Sequence, residues 1–460
     1  MTRPFGMRDK LGYLFGDFGN DFTFILASSF LMKYYTDVAG VDAAVIGVIM
    51  MAARFVDAFT DVTMGRICDR SPVTRHGRFR PWIRRMSVPA ALSSFLLYQG
   101  YVAALPMGLR IAYLTVCYIL WSSVFYTAVN IPYGSMASAI SPEPDHRQSL
   151  STWRSLGATF AGAFVGVAVP LAAYTTDAAG NTVLDGGRFT LVAGVCSLLA
   201  VACHLACYYL TLERTEPERE EQLRQRRHSV VDMLRNALQN RALISIIAAS
   251  VVMLLSQMTM QSMAGFVFPN YYRSPQAQSV STVLMLGGML IAAALARPAA
   301  KRWGKAEVSA ASCVLAAVVN LILFAWRPRS VWAYVGLQTV SWFGLGVFTM
   351  VSWALITDVI DDSELRTGVR EDGSIYALYS FARKMGQAAA AGLSGALLSA
   401  IGYTQQTAFD PQVTEGIFSI STLAPALGLL ALAAILRWWY PLRKKQVEEN
   451  VAALKQRRGQ

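Results

Sequence analysis

Long apolar runs follow one another along the whole chain, and short polar segments separate them. A helix needs about 20 mostly apolar residues to cross the hydrocarbon core of a bilayer. Twelve such runs are present, so the pattern predicts an all-α membrane protein with twelve transmembrane helices. The predicted helices cover residues 14–36, 41–65, 86–104, 109–134, 152–174, 189–211, 242–271, 278–297, 307–326, 331–357, 374–401 and 417–440.

One polar segment, at 212–241, is longer than the others and divides the apolar pattern into halves. Its mixture of Glu and Arg is typical of an exposed linker, and it is too short for a catalytic domain. We therefore predict a six-helix bundle at 1–211, a linker at 212–241, a second six-helix bundle at 242–440 and a tail at 441–460. A basic residue shortly before a glycine recurs in both halves, which favours related repeats with a substrate site between them.

Composition and charge agree with a membrane protein. Hydrophobic residues make up 54% of the chain and charged residues only 15%, whereas a soluble protein carries about a quarter charged residues. The net charge of +12 does not indicate nucleic-acid binding, because the basic residues cluster in short loops; the loop at 66–85 holds seven Arg and one Asp. The positive-inside rule explains this pattern. We expect a multi-pass protein of the plasma (bacterial inner) membrane, with both termini, the linker and the tail in the cytoplasm.

Three ionisable residues lie inside the second apolar run, in ARFVDAFTDVTMG at 53–65. A charge at the centre of a spanning helix costs about 2.5–3.5 kcal/mol on insertion scales, so such residues are functional by default. Asp57 and Asp61 are four residues apart and project from one helical face. They either supply oxygen ligands to Na⁺ or share a proton, because two close carboxylates do not both ionise cheaply. The alternative is a structural ion pair between Arg54 and Asp57, which does not account for Asp61.

The first predicted helix repeats this spacing in FGDFGNDF, where Asp17 and Asp21 are four residues apart. Carboxylates accept two hydrogen bonds at once and therefore match sugar hydroxyls. Asp17 is alternatively an interfacial charge at the helix end. The segment VNIPYGS at 129–135 contains a proline that kinks the fourth helix, and Thr127 and Asn130 precede that proline. These polar side chains are candidate lining of a central cavity.

Two basic and two aromatic residues complete the candidate site. Arg154 and Lys384 lie in apolar runs, where they either balance the carboxylates or bind an anionic substrate. Tyr126 and Trp353 are candidate stacking partners for a sugar ring, although aromatic residues in membrane helices more often serve packing. The six cysteines form no CxxC motif and are interpreted as small buried hydrophobes. The sequence contains no nucleophile–base set and no metal motif in its loops, so we expect a protein that is not an enzyme and needs no cofactor.

Five motifs together resemble one transporter family. They are YYTDVAGV at 34–41, ARFVDAFTDVTMGRICDR at 53–70, HGRFRPW at 76–82, NIPYGS at 130–135 and TGVREDGSIYALYSFARKMGQ at 367–387. The chain resembles the glycoside–pentoside–hexuronide:cation symporters, the melibiose-carrier-like branch of the major facilitator superfamily, over nearly its whole length. This resemblance implies a major facilitator fold of two pseudo-symmetric six-helix bundles that work by alternating access.

The resemblance also implies roles for individual residues. Asp57 and Asp61 match the carboxylates that ligate the coupling cation, and would be the metal ligands if the ion is Na⁺. Thr127 matches the threonine that assists them. Asp21 matches an Asp that binds sugar, and Arg154 and Lys384 match basic residues that line the site. The substrate candidates that rest on residue type and spacing instead are Asp17, Tyr126, Asn130 and Trp353.

The chain departs from the melibiose branch at a second sugar-binding Asp, which is Asn130 here, and at an aromatic residue, which is Gly134. Its motifs are most similar to the glucuronide-carrier branch. Loss of a carboxylate beside Arg154 and Lys384 favours a hexuronide, and neutral xylosides or other glycosides are the alternative substrates. We therefore expect a monomeric sugar symporter coupled to Na⁺ or H⁺. A proton-coupled exporter of drugs or lipids on the same fold is the alternative function.

Overall fold

The computed structural model describes residues 3–214, 240–367 and 372–457. A short β-hairpin, β1 (Tyr174–Thr176) and β2 (Thr182–Leu184), joins two of the helices. The helices are α1 (Met7–Asp37), α2 (Ala43–Arg70), α3 (Arg80–Leu96), α4 (Met107–Ile140), α5 (Pro144–Ala172), α6 (Gly186–Leu210), α7 (Arg241–Tyr271), α8 (Pro275–Trp303), α9 (Lys305–Trp326), α10 (Val331–Thr367), α11 (Asp372–Ala400), α12 (Pro411–Trp439) and α13 (Lys444–Arg457).

Each of the twelve segments predicted from the sequence overlaps one of the helices α1–α12. Nine helices of the described residues are long and apolar enough to cross a membrane. The predicted tail contains α13, and most of the predicted linker at 212–241 lies outside the described residues. All six cysteines are buried thiols, as the sequence predicts.

Polar residues define several helix starts. The carboxylate of Asp42 accepts a 2.8 Å hydrogen bond from the backbone N–H of Ala44 at the start of α2, and Asp185 does the same for Arg188 in α6. Such caps satisfy donors that have no partner within the helix. Between α8 and α9 the chain turns through Gly304 alone, at φ +100°, a conformation that favours glycine.

The helices pack into two units that are not simply the two halves of the sequence. Unit 1 contains the first six helices together with the end of α7, the start of α8, and the end of α11 with the loop after it. The predicted domain boundaries stay predictions. The ranges are Met1–Glu218, Ala264–Thr282 and Ala391–Thr414 for unit 1, and Arg219–Met263, Val283–Ala390 and Glu415–Gln460 for unit 2.

In unit 1, α1 packs along both α5 and α6. Glycines permit this close approach, because a Cβ at Gly157 would collide with the backbone of Leu14, and a Cβ at Gly16 would collide with the ring of Tyr133. The apolar core of this unit includes Met64, Phe79, Ile83, Val129, Met136 and Leu150. This core therefore packs α1, α2 and α4 together, and these helices carry the candidate site.

The end of α1 carries a buried lysine that contacts later parts of the chain within unit 1. Lys33 Nζ donates to Asn270 Oδ1 at 2.5 Å and to Tyr403 Oη at 2.7 Å, and it lies 2.7 Å from Asp37 Oδ2. Tyr403 Oη in turn donates to Asp37 Oδ1 at 2.6 Å. The ring of Phe266 lies below the ammonium, 4.8 Å from its centroid. Together with Lys33, these four residues form what is called here the lysine cluster. Its polar groups and its aromatic ring compensate the positive charge that α1 buries.

Unit 2 has its own core, to which all of the helices α7 to α12 contribute. Lys305 at the start of α9 donates to Asp358 of α10 at 2.6 Å, and Asn450 of α13 donates to Asp362 of α10 at 3.2 Å. The apolar core of this unit includes Ile246, Met253, Phe348, Leu355, Tyr379 and Leu429. Polar contacts therefore tie α10 to the neighbouring helix ends.

Candidate cation and substrate site

The two carboxylates of α2 meet a row of hydroxyl groups on α4. Ser122 Oγ lies 3.0 and 2.8 Å from the two oxygens of Asp57, and Ser123 Oγ donates to Asp57 Oδ1 at 2.5 Å. Thr127 Oγ1 donates to Asp61 Oδ1 at 3.0 Å. Five oxygen-bearing side chains thus converge where the sequence analysis places the cation.

The local conformation of α4 explains why two consecutive serines reach one carboxylate. Residues Leu120–Tyr126 form a π-helical turn within the helix. A π-turn inserts an extra residue into the helical repeat, and such turns frequently occur at functional sites. Ser122 and Ser123 are both buried in this turn and both contact Asp57. The turn ends where Thr127 begins the next α-helical stretch.

Arg54 contributes a positive charge to the same cluster. Its Nη1 donates to Asp57 Oδ2 at 3.1 Å, and its guanidinium lies over the ring of Phe24, 5.2 Å from the centroid. The ion pair that the sequence analysis raised as an alternative is therefore present. It coexists with the hydroxyl contacts of Asp57, so the carboxylate has both a charged and two neutral donors.

A second polar group joins α1 to α5. Arg154 Nε donates to Asp17 Oδ1 at 2.9 Å, and the guanidinium lies over the ring of Tyr133, 5.3 Å from the centroid. Asp17 is therefore paired with a cation on another helix and not only an interfacial charge. Asp21 follows one turn later on the same face of α1. Tyr126, at the end of the π-turn, contacts the ring of Phe24.

Asn130 belongs to a chain of polar side chains that crosses the unit. Asn20 Nδ2 donates to Asn130 Oδ1 in a long contact of 3.5 Å, and Asn20 Oδ1 lies 3.1 Å from His204 Nε2. His204 is buried in α6, and its Nδ1 has no hydrogen-bond partner among the described residues. Gly19 leaves the room that the imidazole occupies, since a Cβ there would lie 2.8 Å from His204 Cδ2.

Two of the predicted substrate residues lie in unit 2. The ring of Trp353 in α10 packs edge to face against Tyr379 of α11, with 5.3 Å between centroids. The guanidinium of Arg383 lies over both rings, at 5.6 and 5.8 Å. Lys384 is the half-buried neighbour of Arg383. Within this unit the candidate Trp353 therefore forms a cluster with Tyr379 and Arg383, and Lys384 is next to that cluster in the sequence.

A family model described as MFS/sugar transport protein matches residues 12–444. The chain belongs to this sugar transport family. It is 31% identical to the glucuronide carrier protein homolog of Escherichia coli K12, over all of this chain and 97% of that protein. It is 28% identical to the isoprimeverose transporter of Lactiplantibacillus pentosus, over 98% of this chain and 92% of that protein. Within the major facilitator superfamily, it is a glycoside–pentoside–hexuronide:cation symporter family member.

A solved structure agrees with this family assignment at the level of the fold. The D-xylose-proton symporter superposes with a TM-score of 0.60 at 13% identity, over 94% of this chain and 97% of that chain. The fold is therefore the major facilitator fold predicted from the sequence motifs. The chain is accordingly a multi-pass membrane transporter and not an enzyme.

The oxygen atoms that converge between α2 and α4 suit a hard cation. Among the described residues, no group of three or more His, Cys, Asp or Glu side chains forms a site for a metal ion. The cluster on α2 and α4 offers instead two carboxylates and three hydroxyls. Such oxygen ligands are those that hard cations prefer.

Sequence reasoning did not assign roles to Ser122, Ser123 and His204. Ser123 precedes Thr127 by four residues, a spacing that places both hydroxyls on one helical face and was available in the sequence, whereas Ser122 precedes it by five. The pairing of both serines with Asp57 depends on the π-turn, which has no comparable signal. His204 lies between Cys203 and Cys207 in an apolar run, and its contact with Asn20 follows only from the packing of α1 on α6.

Proposed function

We propose that this transporter is a secondary active symporter that imports a hexuronide-like glycoside together with one monovalent cation, Na⁺ or H⁺. The observation that carries the proposal is the oxygen cluster of Asp57, Asp61, Ser122, Ser123 and Thr127. These side chains offer Na⁺ a set of oxygen ligands, and the carboxylates alternatively accept a proton.

The charges of the cluster match a monovalent ion. With both carboxylates ionised, Asp57, Asp61 and the guanidinium of Arg54 together carry one net negative charge. Uncompensated charge within a membrane is costly. One bound Na⁺ or H⁺ neutralises the cluster, whereas a divalent ion would leave a positive charge.

The substrate site is proposed around Asp21, Asn130 and Arg154 of unit 1. Lys384 and Trp353, which lie in unit 2, stay substrate candidates from the sequence. Asp17 occupies only the Nε donor of Arg154 in the described contacts. A guanidinium has five N–H donors, and the Arg154 side chain is 41% exposed. Its terminal nitrogens are therefore proposed to bind a substrate carboxylate, while Asp21 accepts sugar hydroxyls. The relative named as a glucuronide carrier supports a hexuronide.

Coupling then follows from thermodynamic linkage between the two sites. If the cation raises the affinity for sugar, the sugar raises the affinity for the cation by the same factor. Both sites use α4, which carries Thr127 and Asn130 three residues apart. The basic loops support cytoplasmic termini in the bacterial inner membrane, and the proposal retains the monomer expected from the sequence.

The test is uptake of labelled phenyl glucuronide into proteoliposomes under an imposed Na⁺ gradient or an imposed pH gradient. We expect one gradient to drive accumulation, which identifies the ion. Asp57→Asn should abolish accumulation but retain exchange of substrate at equal concentrations, and Asp145→Asn, on an exposed part of α5, should leave both unchanged. Absence of uptake under either gradient would rule out the hexuronide, and accumulation in Asp57→Asn would rule out the cation site.

A further inference from the structure

A long apolar groove runs along the surface of unit 2 between α9 and α12. Its volume is about 1060 Å³, and small and aliphatic side chains line most of it, among them Ala311, Val314, Leu430 and Ala431. These four side chains are all exposed. In a membrane protein, a groove with such a lining faces acyl chains and not water.

One end of the groove is basic. Arg437 and Arg443 lie there, beside Glu307. Arg443 Nη2 donates to the backbone oxygen of Arg437, whereas its Nη1 is buried and has no hydrogen-bond partner among the described residues. A third guanidinium, that of Arg241, donates to the backbone oxygens of Trp438 and Trp439 at the same end. Buried donors are normally paired, so an acceptor on a bound molecule would pair with this donor of Arg443.

Glu307, in the same groove, has an acceptor atom that lacks a donor. Its Oε2 is buried and has no hydrogen-bond partner among the described residues. The carboxylate occupies space that a side chain at Gly304 would fill. A molecule that satisfies both groups must offer an anionic acceptor to Arg443 and a hydrogen-bond donor to Glu307.

Tryptophans indicate the depth of this basic end in the bilayer. Trp438 and Trp303 have exposed fractions of 76% and 59%, and exposed tryptophans of membrane proteins concentrate at the level of the lipid headgroups. A second groove of about 810 Å³ follows the other side of α9 and ends at Arg302, whose guanidinium lies 5.1 Å from the Trp303 ring centroid. The basic residues therefore lie at headgroup depth and the grooves extend towards the acyl chains.

We propose that the groove between α9 and α12 binds an anionic phospholipid of the phosphatidylglycerol type. The phosphate accepts hydrogen bonds from Arg437 and Arg443, a glycerol hydroxyl of the headgroup donates to Glu307, and an acyl chain fills the groove. Basic pockets between transmembrane helices bind such headgroups in other membrane proteins. This inference concerns a surface separate from the transport site and does not depend on the proposed substrate.

The test uses the purified full-length protein in lipid nanodiscs and measures quenching of tryptophan fluorescence by lipids with brominated acyl chains. At equal mole fraction, brominated phosphatidylglycerol should quench more than brominated phosphatidylcholine, because it concentrates beside Trp438. Each arginine near an anionic lipid surface should contribute about a fivefold preference. The Arg437→Gln/Arg443→Gln variant should therefore lose most of the preference.

Two further variants separate the site from general effects. Arg329→Gln removes one exposed charge beyond the opposite end of α9 and should keep the preference. Ala311→Phe fills the groove without changing its charge and should lose it, which tests the acyl-chain contact even if the double variant folds poorly. Equal quenching by the two lipids in the unsubstituted protein would overturn the proposal. So would greater quenching by brominated phosphatidylethanolamine than by phosphatidylglycerol, or an equal loss in Arg329→Gln.

Discussion

Arg154 Nε of α5 and Asp17 Oδ1 of α1 are 2.9 Å apart, and this pair joins the two helices beside the proposed sugar site. The carboxylate of Asp17 offsets the charge of Arg154, which would otherwise attract an anionic hexuronide. An anionic substrate at the terminal nitrogens of Arg154 therefore competes with Asp17 for the charge of the guanidinium, although not for the same nitrogen, whereas a neutral glycoside does not compete.

Asp17→Asn should tighten binding of a charged glycoside. We expect the KM for phenyl glucuronide to fall about fivefold, since a hydrogen bond to a charged group is stronger than one to a neutral amide. The KM for the neutral phenyl glucoside should not change, and uptake assays in proteoliposomes with both substrates measure this difference. A rise in both KM values would mean that Asp17 serves to position Arg154 and does not compete with substrate.

Ser122→Ala and Ser123→Ala should each change the affinity of the cation site about tenfold, because hydrogen bonds to charged groups contribute about 1.5–3 kcal/mol. If the coupling ion is Na⁺, loss of a hydroxyl ligand should raise its half-saturating concentration. If the ion is H⁺, loss of a donor to the carboxylate favours the protonated form and should lower that concentration. Ion-dependent uptake measured at saturating glycoside gives this value directly. Ser151→Ala, at an exposed position of α5, is the matched control. An unchanged ion dependence in both serine variants would show that neither hydroxyl takes part in ion binding.

His204 should determine which end of the Asn130 amide faces the substrate. A buried N–H without a partner is rarer than a buried acceptor without one, so the proton belongs on Nε2, which contacts Asn20 Oδ1. Asn20 then donates to Asn130 Oδ1 and leaves the Asn130 N–H groups for substrate.

His204→Met removes this donor and should raise the KM for phenyl glucuronide about fivefold. His204→Gln retains a donor and should restore it. The comparison of these two variants in uptake assays separates polarity from volume. Equal KM values would exclude a role for the His204 donor.

Lys33→Met should destabilise unit 1. Removal of one partner from a buried ion pair costs about 3–5 kcal/mol, and here Asn270 Oδ1 also loses a donor. The apparent melting temperature of the purified protein in detergent should fall clearly below that of Lys445→Met, whose side chain is 90% exposed. Equal melting temperatures would show that the lysine cluster contributes little to stability.

Most of the fold was predictable from the sequence because a spanning helix leaves a long apolar run. The carboxylates of α2 were predictable for the opposite reason, since charges stand out against that background. Thr127 and Asp61 illustrate this success: helical spacing and the family motifs both indicated them, and the structure brings them to 3.0 Å.

The remaining features depend on packing that periodicity does not encode. The π-turn shifts Ser122 and Ser123 towards Asp57, and no residue pattern marks such a turn. The Arg154–Asp17 pair joins residues 137 positions apart, so each residue was identified but their pairing was not. Lys33 was missed because a single lysine near the end of an apolar run resembles an ordinary interfacial residue.

The lysine cluster also constrains the order in which the chain matures during synthesis. Polypeptides emerge from the ribosome with the N-terminus first, and Asp37 is the one cluster partner of Lys33 made at the same time as α1. Asn270 is added 237 residues after Lys33, and Tyr403 is added 370 residues after Lys33. Lys33 therefore enters the bilayer with its α1 neighbour alone, and unit 1 reaches its native packing only when nearly nine-tenths of the protein has been translated.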